Sequence, residues 1–227
     1  MTVARGNVNA ATVVGLDLQH FSMLRPYLYH LTARVNISLI RAAMALKPSN
    51  VLYTESGESA FRGTRRRGSR TLKSGCQIRD QDPLHAGNIS FSDGWDLPKL
   101  ISHLDDHVFF WPGWEHGPVL SGQNHFQRYA AERPMILRVA TTDLLYENRE
   151  TAPFFCKFNS GAPRCTKGKG SPRGPLIFLS AREFTFSGSD VKEVTFKTIV
   201  KLPASTQVVH YPRGNWQPLT HIRTENL

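Results

Sequence analysis

Several features on which well-known enzyme classes depend are scarce or missing from this sequence. Cysteine is rare: Cys76, Cys156 and Cys165 are the only three, and they lie in no C-x-x-C or Cys/His ligand spacing. An odd, scattered set gives neither a disulfide framework nor a zinc site, so a reduced, cytoplasmic setting without a metal is expected. Long apolar runs are absent too. The opening MTVARGNVNAATVVGLDLQHF has a short apolar patch broken by Gly15 and Asp17, too polar for the core of a secretory signal or a membrane span, so no membrane association is expected. Nor is there a glycine-rich phosphate loop. No G-x-G-x-x-G follows a strand, and the Gly-Lys of TKGKGS lacks the upstream glycine and the strand-to-helix setting of a P-loop. G-x-S-x-G, H-E-x-x-H and the H-x-E with P-C-x-x-C of zinc deaminases do not occur, which weakens hydrolytic-serine and deaminase chemistry. With no internal repeat and no Pro/Gly/Ser-rich linker, the 227 residues are expected to form one domain, its core over residues 26–203 between N- and C-terminal extensions.

Acidic residues are the other shortage: 18 Asp plus Glu stand against 28 Lys plus Arg, a formal net charge of +10. The excess is local. Arg62 to Lys73 (RGTRRRGSRTLK) holds Arg62, Arg65, Arg66, Arg67, Arg70 and Lys73, and Arg164 to Arg173 (RCTKGKGSPR) holds Arg164, Lys167, Lys169 and Arg173, with no acid in either. Those ten cations account for the whole imbalance. A neutral body with two cationic, glycine-containing segments suits a polyanion better than a membrane. The bland alternative is a pair of solvated loops with no ligand.

What is present is a core. Apolar residues make up 40% of the chain, with 13 Phe, 6 Tyr and 4 Trp, enough to exclude disorder. PYLYHLT (26–32) reads as a strand, after which Asn36 is expected to cap an amphipathic helix that Pro48 stops. A helix is expected over Leu97 to Leu104, then HVFFWPG as a buried strand, a helix over Gln123 to Glu132, MILRVAT (135–141) as a strand and TTDLLYENR as a helical turn. FFCKF, LIFLS and VKEVTFKTIVKL are three more strand candidates, and the polar tail from Ala204 reads as a surface strand or an irregular arm. Short strands interleaved with few helices predict an α+β fold rather than a doubly wound parallel sheet. In the last long strand Val194, Phe196, Thr198 and Val200 share one face, which leaves Glu193 on the other beside Thr195 and Lys197. That carboxylate either stands at a cleft or is an ordinary solvated charge.

The residues with chemistry in them form a distributed set: His30 in LYHLT, Arg79 and Gln81 in IRDQDPL, Trp111 in HVFFWPG, Asn159 and Ser160 in FNSGAPR, Arg173 in SPRGP, and Glu193 in VKEVTF. An early Y-H-[LIF]-T strand followed by a helix, a middle V-x-F-[WL] strand and a late E-V strand resembles the ADP-ribosyltransferase fold, in its DarT-type and RNA 2′-phosphotransferase-like branches. IRDQ, VFFWP, NSG, PRG and the final EV strand, in this order, more closely resemble a bacterial domain family of unknown function in that superfamily. The resemblance covers residues 26–203. It implies a split β-sheet core with short flanking helices and an NAD-dependent mono-ADP-ribosyltransferase. Glu193 and His30 take the catalytic positions: Glu193 on the 2′-hydroxyl of the nicotinamide ribose, His30, with Thr32 beside it, on the nicotinamide side. Phe110 or Trp111 would stack on nicotinamide and Arg79 would grip the pyrophosphate, while Gln81, Asn159 and Ser160 complete the NAD-binding set.

The chemistry is coherent, because breaking an N-glycosidic bond develops positive charge at the anomeric carbon and a fixed carboxylate there stabilises the transition state. With the two basic segments as a phosphate clamp, the expected acceptor is nucleic acid, single-stranded RNA ahead of DNA. Enzymes of this kind act as toxins in bacterial toxin–antitoxin or phage-defence systems, so an antitoxin protein is an expected partner. Three alternatives stay open: ADP-ribosylation of DNA or protein, RNA 2′-phosphotransfer, for which only Arg34 and Arg41 offer early arginines, and a noncatalytic RNA-binding module. Each residue also has a plainer role available: a hydrogen-bonded core histidine, a core tryptophan, or an ordinary turn at Asn159-Ser160-Gly161 and at Pro172-Arg173-Gly174.

Overall fold

The computed structural model describes residues 15–222. It is built on one nine-stranded antiparallel sheet flanked by helices on both faces, with three two-stranded ribbons at its margins. The strands of the main sheet are β1 (Tyr27–Thr32), β2 (Val108–Trp114), β3 (Gly117–Pro118), β4 (Met135–Ala140), β5 (Phe154–Cys156), β6 (Leu179–Ser180), β7 (Glu193–Phe196), β8 (Gln207–His210) and β9 (Gln217–Pro218). Their order across the sheet is β6-β5-β7-β2-β1-β4-β8-β9, with β3 folded back on β2. The α+β architecture expected from the sequence is the one observed.

Side-chain alternation sorts the core into two sides. Leu28 of β1, Phe110 of β2, Leu137 of β4 and Val194 and Phe196 of β7 face α1 (Leu18–Leu24), α2 (Ile37–Ala43) and α6 (Thr141–Glu147) through Phe21, Ile37, Ile40 and Leu144. The other side carries α4 (Leu97–Asp105) and α5 (Leu120–Arg128), whose Leu100, Leu104 and Phe126 pack with Phe178 and with Trp111 and Tyr29. Asp96 starts α4 by accepting the Lys99 amide at 2.9 Å, with Pro98 in the first turn where no donor is lost, and α3 (Ser49–Glu55) is tied to α4 by Asn50, which donates to the Ser102 carbonyl at 3.0 Å. Among the described residues no helix is long and apolar enough to cross a membrane.

The structure departs from the expected elements at several points. The helix after β1 is a 3-10 turn over Arg34–Asn36 followed by only Ile37–Ala43, and Met44 ends it in the left-handed conformation. Asn36 does not cap it. Its side chain reaches Gln77, donating to the carbonyl at 2.8 Å and accepting from the amide at 2.8 Å, because a buried amide gains more from two backbone partners than from one cap bond. LIFLS is divided: Leu176 and Ile177 belong to the 3-10 turn Pro175–Ile177, and only Leu179–Ser180 form a strand, the two-residue β6. The EV strand stops at Phe196, and Val200–Lys201 pairs separately with Ala45–Leu46. The tail is no loose arm: β8 pairs with β4 over four residues and fully buries Val208.

Candidate functional site

The middle strand, β2, changes partner half way. Val108 to Phe110 pair with Phe196 to Val194 of β7, whereas Trp111 to Gly113 pair with Tyr29 to Tyr27 of β1. One step past Tyr29 is His30, and one step before Val194 is Glu193, so the switch leaves these two residues at the ends of two ladders that meet on β2. Both line a cleft of about 650 Å³. Thr32, Arg79, Gln81, Trp111, Asn159 and Ser160 line it as well.

Each side chain is fixed by its surroundings. Because β1 has left β2 at this level, the Phe109 carbonyl has no strand partner on that side, and His30 Nδ1 lies 2.9 Å from it. A carbonyl can only accept, so Nδ1 carries the proton and Nε2 keeps a free lone pair. Burial pushes the His30 pKa down to about 4, helped by the Arg79 charge and opposed by the Phe109 carbonyl, so the ring is neutral near pH 7. Glu193 is 1% exposed. Its two carboxylate oxygens share the Ser160 amide at 3.2 and 3.1 Å. Burial raises its pKa to about 7, against the lowering effects of hydrogen bonding from Ser160 and the Arg173 charge. A carboxyl poised near neutrality on a rigid strand can serve as an electrostatic stabiliser or as a proton acceptor.

A further wall of the cleft escaped the sequence reading. His125 and Tyr129, four residues apart at the end of α5, project together onto Trp111: the His125 ring stacks on the indole at 4.3 Å and meets Tyr129 edge-on at 5.1 Å. The four-residue spacing in an amphipathic helix was the available signal. Gly122 makes the approach possible, since a β-carbon there would lie 2.7 Å from Trp111 Cβ. Arg79 continues the wall. Its guanidinium lies 4.7 Å over the Tyr129 ring and pairs with Glu132, while the Tyr129 hydroxyl donates to Asp80 Oδ1 at 3.1 Å. Burial, reinforced by Arg128, Arg79 and His30, pushes the His125 pKa down to about 3, so this ring too is neutral at pH 7.

Other expected site residues lie elsewhere. Phe110 does not line the cleft: it is fully buried in the core with Leu28 and Phe196, its ring 5.7 Å from that of His30. Gln81 lines the cleft but its amide is spent internally, donating to Asp105 Oδ1 at 3.1 Å and accepting the Arg66 amide at 3.2 Å. Arg66 is no surface cation. It forms a two-point ion pair with buried Asp105 at 2.6 and 2.9 Å and donates from Nε to the Arg79 carbonyl at 2.7 Å. Arg65 donates to the Asp82 and Gln81 carbonyls at 2.6 and 3.4 Å. Arg173 is buried, its Nε and Nη2 donating to the Ser160 and Asn159 carbonyls, each at 3.1 Å. A guanidinium offers five donors in a planar fork, and folding used them before any phosphate could.

The remaining cations of the two segments are at or near the surface, outside the cleft lining. Arg62, Arg67, Lys73, Arg164, Lys167 and Lys169 are exposed, and half-buried Arg70 lies 3.5 Å over the Phe61 ring. Both segments adjoin the cleft through the chain: Ser74 and Cys76 to Gln81 line it after the first, and Asn159 to Ala162 before the second.

A family model described as a family of unknown function, DUF7002, matches residues 26–209. The chain belongs to that family. The matched span contains IRDQ, VFFWP, NSG, the PRG of 172–174 and the EV strand, together with the whole β1-β2-β7 switch. No curated protein and no solved structure matches the chain.

Proposed function

We propose that this DUF7002 protein is an NAD-dependent mono-ADP-ribosyltransferase acting on nucleic acid, with single-stranded RNA ahead of DNA. The observation that carries this reading is the convergence of Glu193 and His30 at the partner switch of β2, facing one cleft of about 650 Å³, a volume in the range that holds nucleotide-sized ligands. The motif series, which resembles that of ADP-ribosyltransferases, supports the same reading.

The residues fit the chemistry. Ionised Glu193 offers its charge to the anomeric carbon as the N-glycosidic bond lengthens and the neutral nicotinamide departs with the bonding pair. His30 Nε2, with its free lone pair, accepts from a ribose hydroxyl and fixes the sugar without adding positive charge beside a developing cation. The Trp111–His125–Tyr129 wall gives flat, uncharged surface for a planar ring, and Arg79 supplies a cation for phosphate oxygens. The acceptor nucleophile then bonds to the anomeric carbon and gives its proton to water. Exposed cations of the two segments hold its phosphates without selecting sequence. On this reading the protein works in the cytoplasm as the toxin of a toxin–antitoxin or phage-defence system, with an antitoxin protein as its partner.

Incubating the protein with labelled NAD and separate pools of RNA, DNA and cell protein tests the proposal. Label is expected in RNA, with Glu193→Gln lowering transfer by about a hundredfold or more. Intact NAD and no labelled pool would overturn it, and RNA binding without turnover would favour a noncatalytic RNA-binding module instead.

A further inference from the structure

The most unusual side chain near the cleft is Arg173, a buried arginine with no carboxylate in ion-pair reach among the described residues. It is 3% exposed. Its guanidinium lies 4.4 Å over the Phe158 ring, and Nε, Nη2 and Nη1 donate to the carbonyls of Ser160 (3.1 Å), Asn159 (3.1 Å) and Pro172 (2.9 Å). It therefore grips from behind the peptide units whose front face presents the Ser160 amide to Glu193. Two of its bonds end on the carbonyls of Asn159 and Ser160, the residues on either side of that amide nitrogen.

We propose that Arg173 is a positioning residue for Glu193, holding the Asn159–Gly161 loop so that the Ser160 amide stays on the carboxylate and lending its own positive charge through that loop. This deepens the transferase reading and rests on it only for the activity arm of the test. The alternative expected from the sequence, a phosphate contact for nucleic acid, is closed to a guanidinium already spent on three carbonyls. Charged and titratable neighbours of Glu193 are few. From the Ser171–Arg173 strand comes Arg173 itself; across the β5–β7 ladder stands Cys156, whose thiol burial keeps protonated; on the β1 side His30 is neutral. Arg173 is thus the cation that favours the ionised carboxylate, and both of its actions, amide placement and charge, push in the same direction.

The test is the titration of Glu193 in the full chain, followed by the carboxyl carbon resonance assigned through its disappearance in Glu193→Gln, beside the pH profile of NAD cleavage. In Arg173→Met the titration should move up by about one pH unit from its value near 7. The ionised fraction at pH 7 then falls about fivefold, NAD cleavage falls with it, and raising the pH restores the rate. Arg173→Lys, which keeps the charge and loses the fork, should give a smaller upward move and serves if the methionine variant does not fold. A titration unmoved in both, or activity lost equally at every pH, would overturn the proposal even with wild-type turnover intact. A moved titration in a protein that cleaves no NAD would uphold the positioning role while removing the transferase reading.

Discussion

Arg66 and Arg173 come from two stretches that look alike in sequence, basic, glycine-containing and free of acids, and both side chains end inside the protein. Their interiors differ. Arg66 meets Asp105 in a two-point ion pair beneath the cleft, so its charge is closed off where it stands. Arg173 meets three carbonyl dipoles and the face of Phe158, which leave a net positive charge that reaches Glu193. The first holds the IRDQ segment in place through the Arg79 carbonyl and Gln81; the second holds the loop that presents the Ser160 amide to Glu193. Local charge density shows neither role, because the partner that decides each one comes from distant chain.

The largest effect that would break this contrast is on stability. Arg66→Met strands the Asp105 carboxylate in the interior and is expected to cost about 3–5 kcal/mol in urea unfolding, most of it recovered by adding Asp105→Leu. Equal losses for the single and double variants would show that the pair contributes packing rather than charge closure.

The next effect sharpens the Glu193 side. Its carboxyl titrates near 7 in the folded protein against 4.5 as the ordinary value, so the unfolded chain releases this proton first as pH rises. Stability held by the protonated group is fully present below 4.5 and lost as the pH climbs through 7, leaving a penalty of about 3 kcal/mol at pH 8. Glu193→Gln removes that penalty. It should melt higher than wild type at pH 8 while losing transfer, and the advantage should vanish near pH 4.5; a variant no more stable at pH 8 would argue against a strained carboxylate.

The smallest effect separates buried from exposed cations. Replacing Arg67, Arg70 and Lys73 together by serine should reduce the slope of log affinity for single-stranded RNA against log salt by about 2, the release expected from three lost phosphate contacts. Correcting for its lower stability, Arg66→Met should leave that slope unchanged. If both variants flatten it equally, the division of the basic segment into interior and surface arginines fails.

Much of the fold was legible because it rests on local pattern. The strands at 26–32, 108–114 and 135–140 and the helices at 97–105 and 141–147 each carry a periodicity that a single segment contains. What failed did so for reasons outside the segment. Asn36 left its helix for Gln77, 41 residues on. The Ala204 tail became an inner strand because β4 had an open edge to pair. In the cleft, His30 and Glu193 could be named from their motifs, while His125 and Tyr129 carried only a helical spacing, and Phe110 and Trp111 could be told apart only by which way β2 faces.

By itself the sequence determined that this chain buries an aromatic α+β core, where its central strands lie, and that a histidine and a glutamate stand near strand ends. Only the tertiary structure decided that β2 divides its hydrogen bonds between β7 and β1, because ladder register depends on the balance of packing on both sheet faces. That division opens the cleft and brings His30 and Glu193 to it. The fate of the arginines was decided there as well: a guanidinium goes inside only where acceptors from elsewhere in the chain are already fixed to receive it.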